Sequence, residues 1–82
     1  MDEIEKVIAD YIREIGEIGD DPDFTPDVNL FDNGYLDSMG AIQVISFVEE
    51  KFQIKISEKD ILKYNMNTVE EIAQVVKDKT GK

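Results

Sequence analysis

The sequence predicts an all-α fold, a small four-helix bundle of three main helices and one short helix, with a long loop between helices 1 and 2. Three observations lead there. Apolar residues recur at helical spacing in three separate segments. Capping residues precede the later three helices at Ser38, Ser57 and Thr68. The one strand-like alternation, Gln53-Ile54-Lys55-Ile56, has no second stretch to pair with. The chain has 82 residues, the size of one small domain, so residues 1–82 are read as a single unit.

In the first segment Ile4, Val7, Ile8, Tyr11, Ile12 and Ile15 fall at offsets 0, 3, 4, 7, 8 and 11, one face of a helix over residues 2–16. Asp2, Glu3 and Glu5 suit the positive end of the helix dipole, and Gly16 is the expected stop. Residues 17–36 have no sustained period and are punctuated by Pro22, Pro26, Gly19 and Gly34. Phe24, Val28, Leu30 and Phe31 are expected to pin this loop to the core, with one helical turn around Leu30-Phe31.

The second helix is expected to begin at Ser38 and run to about Lys51. Its inward stripe is Ala41, Val44, Ile45, Val48 and Phe52. That leaves Met39, Ile42, Gln43, Ser46, Glu49 and Glu50 outward, and an outward Met and Ile beside acids mark a surface that a partner could cover. A small bundle that buries much of a central helix accounts for the same pattern equally well. Residues 53–56 then form an extended connector that carries Ile54 and Ile56 to the core. Ser57 and Asp60 open a short helix over 58–64, with Ile61 and Leu62 inward. Thr68 and Glu71 form a capping box for a last helix over 68–79, whose inward residues are Val69, Ile72, Ala73 and Val76.

Composition excludes several functions. Nineteen Asp and Glu oppose nine Lys and Arg, a net charge of −10. All of the excess lies between Glu14 and Glu50, where ten acids stand with no Lys or Arg. A chain so acidic repels nucleic-acid backbones. Without Cys there is no disulfide or thiolate chemistry, and without His the usual general base and the commonest metal ligand are missing. No apolar run reaches the ~20 residues of a membrane span. Met1-Asp2-Glu3 has no basic flank of a secretion signal. A cytoplasmic, monomeric, non-enzymatic domain with no membrane insertion is the expectation.

Two features invite chemistry. Ser38 is a poor nucleophile, since the chain has no His and its Lys residues lie outside 14–50. It is a reasonable substrate for another enzyme, because free amides and the dipole at a helix N-terminus favour a phosphate ester. The structural alternative is that Ser38 serves only as an N-cap. The loop can also be set in a calcium-loop register of Asp21, Asp23, Thr25, Asp27, Asn29 and Asp32. Pro26 stands where that register needs Gly, and Asp32 where it needs Glu, so a solvated loop is the better reading.

The run Leu30-Phe31-Asp32-Asn33-Gly34-Tyr35-Leu36-Asp37-Ser38-Met39-Gly40, continuing through Val48-Glu49-Glu50-Lys51-Phe52 to Ile54-Lys55-Ile56, resembles the acyl and peptidyl carrier protein family. The resemblance implies that Ser38 accepts 4′-phosphopantetheine from coenzyme A through a phosphopantetheinyl transferase. The thiol of that arm would carry acyl or aminoacyl groups as thioesters, which reconciles thioester chemistry with a chain lacking Cys. It further implies that Asp37 helps the transferase recognise the site, and that Met39, where the family usually has Leu, keeps an apolar contact. Helix 2 resembles the family's recognition helix, with Glu49 and Glu50 meeting basic patches on partner ligases, synthases or transferases.

Gln43, Ser46 and Ser57 depart from residues frequent in fatty-acid carriers, and the Leu-Phe-Asp-x-Gly-x-Leu lead-in is more typical of aminoacyl, D-alanyl or other specialised stand-alone carriers. Fatty-acid, polyketide or other specialised biosynthesis is thus the expected setting. The alternative is an unmodified acidic adaptor that binds a basic protein through helix 2.

Overall fold

The structure, a computed structural model, describes residues 1–81; Lys82, the last residue of the expected domain, lies outside the described residues. Four helices follow in order: α1 (Glu3–Gly16), α2 (Ser38–Phe52), α3 (Glu58–Tyr64) and α4 (Val69–Thr80). No strand occurs among the described residues, and residues 54–57 form an extended connector that packs Ile54 and Ile56 against the core.

Local chemistry explains the boundaries. Asp2 accepts from the Glu5 amide at 2.8 Å while Glu5 accepts from the Asp2 amide at 3.0 Å, so two free donors of α1 are satisfied reciprocally. At the other end the left-handed residue is Glu17 (φ 52°), not Gly16. That conformation costs a non-glycine residue roughly 1–2 kcal/mol. It lets the Ile18 amide reach the Arg13 carbonyl at 3.1 Å and lays Ile18 against the core. Gly16 is needed for space instead: a Cβ there would lie 3.2 Å from Ile18 and from the Tyr35 carbonyl oxygen.

The core is centred on the α1–α4 pair. Ile8, Ala9 and Ile12 of α1 meet Val69, Ile72, Ala73, Val75 and Val76 of α4, all essentially sealed from solvent. Val44 and Val48 bring α2 onto this pair, and Tyr11 stacks on Phe47 with ring centroids 4.0 Å apart. Ala41, Ile45 and Phe52, the rest of the expected α2 stripe, are half-buried. The helix ends are tied by ion pairs of Lys77 with Asp2 and of Lys79 with Asp60, the latter at 3.0 Å.

Two expectations about burial are corrected. Leu62 does not point inward and is 80% exposed, whereas Ile61 faces an apolar cavity against α2. The reason is that α3 rests on α4 through polar contacts, the Asp60–Lys79 pair and a 2.6 Å hydrogen bond from the Tyr64 hydroxyl to Asp78, which turn the opposite ridge to solvent. Phe31 likewise reaches the surface rather than anchoring the loop. The box expected at α4 is also only half formed: Thr68 accepts from the Glu71 amide at 3.0 Å, but Glu71 accepts from the Asn67 amide instead of returning to Thr68.

Candidate functional site

The loop between α1 and α2 is what sets the start of α2. Leu30 is fully buried; its amide donates to the Asn67 carbonyl at 2.8 Å, and its carbonyl accepts from Tyr35 and Leu36 at 2.8 and 3.0 Å. The expected single turn lies here, with the Asn29 side chain accepting from the amides of Phe31 and Asp32 and the Asn33 amide closing onto the Asn29 carbonyl. Phe24 is buried edge-on against Tyr35, with the Arg13 guanidinium 5.0 Å from its ring centre. The Pro26 carbonyl also accepts from the Glu70 amide at 3.0 Å, fastening the loop to α4. A long segment thus reaches Leu36, Asp37 and Ser38 with its backbone held at several points.

At that point the N-cap is Asp37, not Ser38. Asp37 is extended (φ −109°, ψ −174°), and its carboxylate accepts from the Gly40 amide at 2.7 Å. Ser38 is instead the first helical residue, exposed, and its side chain is not part of the cap. Asp and Ser are equally good caps by type, so only the register decides between them. The Gly40 and Ala41 amides are taken by the side chain and carbonyl of Asp37. Those of Ser38 and Met39 have no partner within the helix, leaving two donors beside the exposed hydroxyl.

Gly40 has a role that its place in the motif alone did not disclose. A Cβ there would approach a Leu36 methyl to 2.9 Å and the Asp37 carboxylate to 3.3 Å. The missing side chain therefore lets Leu36 enter the core directly beneath the cap. A signal was present in the sequence: glycine in a helix costs roughly 1 kcal/mol relative to alanine, so one in the first turn needs a reason.

The other expected recognition residues spread along α2. Met39 and Ile42 are 65% and 62% exposed. Gln43 lies with Met39, Ile15 and Tyr35 in a groove between the end of α1 and the start of α2. Ser46, Glu49 and Glu50 line a second groove that also contains Lys55, so this acidic end has a base folded beside it. Glu49 is half-buried and accepts from the Ile56 amide at 2.9 Å, which makes it a fastener of the α2–α3 connector. Glu50 is exposed.

The carboxylates of the calcium register serve the loop itself. Asp21 accepts from the Asp23 amide at 2.9 Å and the Tyr35 hydroxyl at 3.1 Å, and Asp27 accepts from the Thr25 hydroxyl at 2.6 Å. Burial, together with Asp21, pushes the Tyr35 hydroxyl above its ordinary range.

Between α2 and α3 lies an apolar cavity of about 140 Å³. Phe31, Val44, Ile45, Ile61 and Met66 are among the residues that line it. Leu62, the neighbour of Ile61 on α3, does not face this cavity.

Comparison with known proteins agrees with this geometry. The family model described as "Phosphopantetheine attachment site" matches residues 6–76. The D-alanyl carrier protein of Streptococcus uberis is 35% identical over 74 residues, which span 90% of each chain. The D-alanyl carrier proteins of Streptococcus pyogenes serotypes M5 and M1 are each 38% identical over 52 residues, 63% of this chain and 66% of theirs. No solved structure gives a significant match. The family model covers most of the chain, and the Streptococcus uberis relative is matched over 90% of both lengths: this chain belongs to the phosphopantetheine-attachment family, a non-enzymatic carrier whose cargo rides on a covalently bound 4′-phosphopantetheine.

Proposed function

We propose that Ser38 is the attachment residue and that the chain is an aminoacyl carrier of the D-alanyl type. The observation that carries the first part is the division of labour at the α2 terminus. Asp37 performs the capping, so the exposed Ser38 hydroxyl is free to be esterified without uncapping the helix. The residues present fit the group: no side chain needs to move to expose the hydroxyl, and the two free amides and the helix dipole favour a phosphodiester anion there. When bound, the group supplies the thiol that this chain lacks.

Each residue then has a physical task. Ser38 Oγ forms the bond to phosphorus as the nucleotide half of coenzyme A leaves. Its proton passes to a base of the transferase, since this chain offers no His. Asp37 fixes the backbone that presents Oγ. Met39 and Ile42 form an apolar pad next to the attachment point, flanked by Gln43, Ser46 and Glu50, while Glu49 keeps the far end of α2 in place. The net charge of −10 steers basic enzyme surfaces toward this pad.

The D-alanyl reading draws on the names of the relatives and on size. A cavity of about 140 Å³ is comparable to the ~150 Å³ void that accommodates a single benzene ring. It has no room for a long acyl chain, which favours a small cargo over fatty-acid or polyketide intermediates. The test is parallel loading of the arm-bearing protein by a D-alanine-activating ligase with ATP and D-alanine or L-alanine, and by a fatty-acid-activating ligase with ATP and a medium-chain fatty acid, read by intact mass. D-alanine loading alone supports the proposal; preferential loading of the fatty acid refutes the cargo while leaving Ser38 untouched. Family membership leaves the unmodified-adaptor alternative without support.

A further inference from the structure

We infer that the pantetheine arm, when no enzyme holds it, lies in the groove between the end of α1 and the start of α2, over Ile15, Met39 and Gln43. The inference rests on the proposed attachment at Ser38 and adds where the arm goes from there. Tether, chemical match and size each support it.

Asp37 and Met39, the two neighbours of Ser38 in the chain, both line this groove. An arm fixed at Ser38 therefore starts at the groove's edge. A short flexible tether holds its free end at roughly millimolar effective concentration, so a groove with an intrinsic dissociation constant of about 1 mM is already half filled.

A pantetheine arm alternates apolar and polar parts: a geminal dimethyl beside a hydroxyl, then two amides, then the thiol. The groove is mixed in the same way. Ile15 and Met39 offer apolar surface, and the exposed Gln43 side chain offers an amide that both donates and accepts. The Tyr35 carbonyl accepts no backbone hydrogen bond among the described residues, and it lies 3.2 Å from where a Cβ of Gly16 would stand. The bare glycine leaves that carbonyl open to an amide N–H of the arm. The Asp37 carboxylate at the same rim repels the phosphodiester, which stays with the free Ser38 and Met39 amides, so the uncharged part of the arm is what enters.

The α2–α3 cavity is the poorer host. At about 140 Å³ it matches a void that holds one benzene ring, far smaller than a pantetheine arm, and its lining is mainly apolar. Arm amides drawn into it would give up water for few partners. The groove, at about 380 Å³, has the larger volume and keeps those amides paired or wet. The resting arm thus crosses toward α1 rather than α3, and an enzyme that takes the cargo must first lift the arm from Gln43.

The test uses isotope-labelled protein bearing an unlabelled arm, its intact mass measured first, and isotope-filtered nuclear Overhauser spectra that report only arm-to-protein contacts. Contacts from the geminal methyls to Ile15 and Met39 that fall about threefold in Gln43→Leu, the loss of one hydrogen bond from a half-filled groove, support the inference. Contacts to Ile45, Ile61 and Met66 instead, no contacts at all, or groove contacts indifferent to Gln43→Leu overturn it. An unmodified chain overturns the Ser38 reading and this one together, whereas a chain that gains the arm but shows no groove contacts overturns this one alone.

Discussion

Between α1 and α4, Ile8, Ile12, Ile72 and Val76 are closed to solvent, whereas along α2 and α3 the side chains of Met39, Ile42 and Leu62 are 62–80% exposed. Both regions are rich in apolar residues, and both lie in a chain short enough that burial is scarce. A domain of this length has roughly 4–12 kcal/mol of net stability at about 0.05–0.15 kcal/mol per residue. Leaving three large apolar side chains in water withholds about 1.5–3 kcal/mol for each. The difference teaches that one half of the molecule holds the fold while the other is kept open for contacts made with something else.

The sharpest way to break this comparison is to truncate one residue from each half. Ile12→Ala should cost about 2–5 kcal/mol, enough to unfold a large fraction of the protein. Leu62→Ala should stay within about 0.5 kcal/mol of the parent. Urea midpoints measure both, and a comparable loss at Leu62 would mean that α3 belongs to the core after all.

The next effect lies at the α2 cap. Asp37→Ala should lose about 1 kcal/mol, and Asp37→Ser should recover most of it. Amide exchange at Gly40, whose N–H the carboxylate holds, should accelerate in the alanine variant alone. Should Asp37→Ala leave stability and exchange unchanged, Ser38 would be acting as the cap and the proposed division of labour would fail.

A smaller effect concerns the polar anchor of α3. The Ser57 amide, then Lys79, hold the Asp60 carboxyl at about 2, below its ordinary 3.8. A depressed folded-state value stabilises the protein above the unfolded-state value, and the contribution is lost as pH falls through the folded one. Docking of α3 should therefore be complete above about pH 4 and weaken toward pH 2, with Asp78 and Asp2 shifted in the same direction. The Asp60→Asn variant should lack much of this acid dependence, as followed by NMR shifts of Tyr64 and Ile61. Smallest of all, Lys77→Ala removes a partly exposed ion pair with Asp2 and should cost about 0–1 kcal/mol, less still at high salt.

Much of this architecture was legible in the sequence because it rests on local rules. The 3.6-residue period located α1, α2 and α4, and Ser57 with Asp60 marked α3 because a capping box is encoded within four residues. The motif around Ser38 led to the carrier family. What escaped depended on register or on distant partners. Asp37 and Ser38 are interchangeable caps by type, and the choice between them follows from Leu30 fixing the loop through Asn67 and Leu36. Leu62 was expected inside because apolar residues usually go there. Its outward place follows from Lys79 and Asp78, a helix away, which bind the other side of α3. Glu49 reads as a surface acid until the connector brings the Ile56 amide to it.

The central claim is that a free serine hydroxyl at the first residue of α2 carries the prosthetic arm. The most direct measurement is the intact mass of the purified apo-protein after incubation with coenzyme A and a broad-specificity phosphopantetheinyl transferase, beside a Ser38→Ala variant of equal helicity. The account predicts a gain of one phosphopantetheine in the parent, located on the peptide containing Ser38, and none in the variant. An unmodified parent, or an equal gain in both proteins, would contradict it.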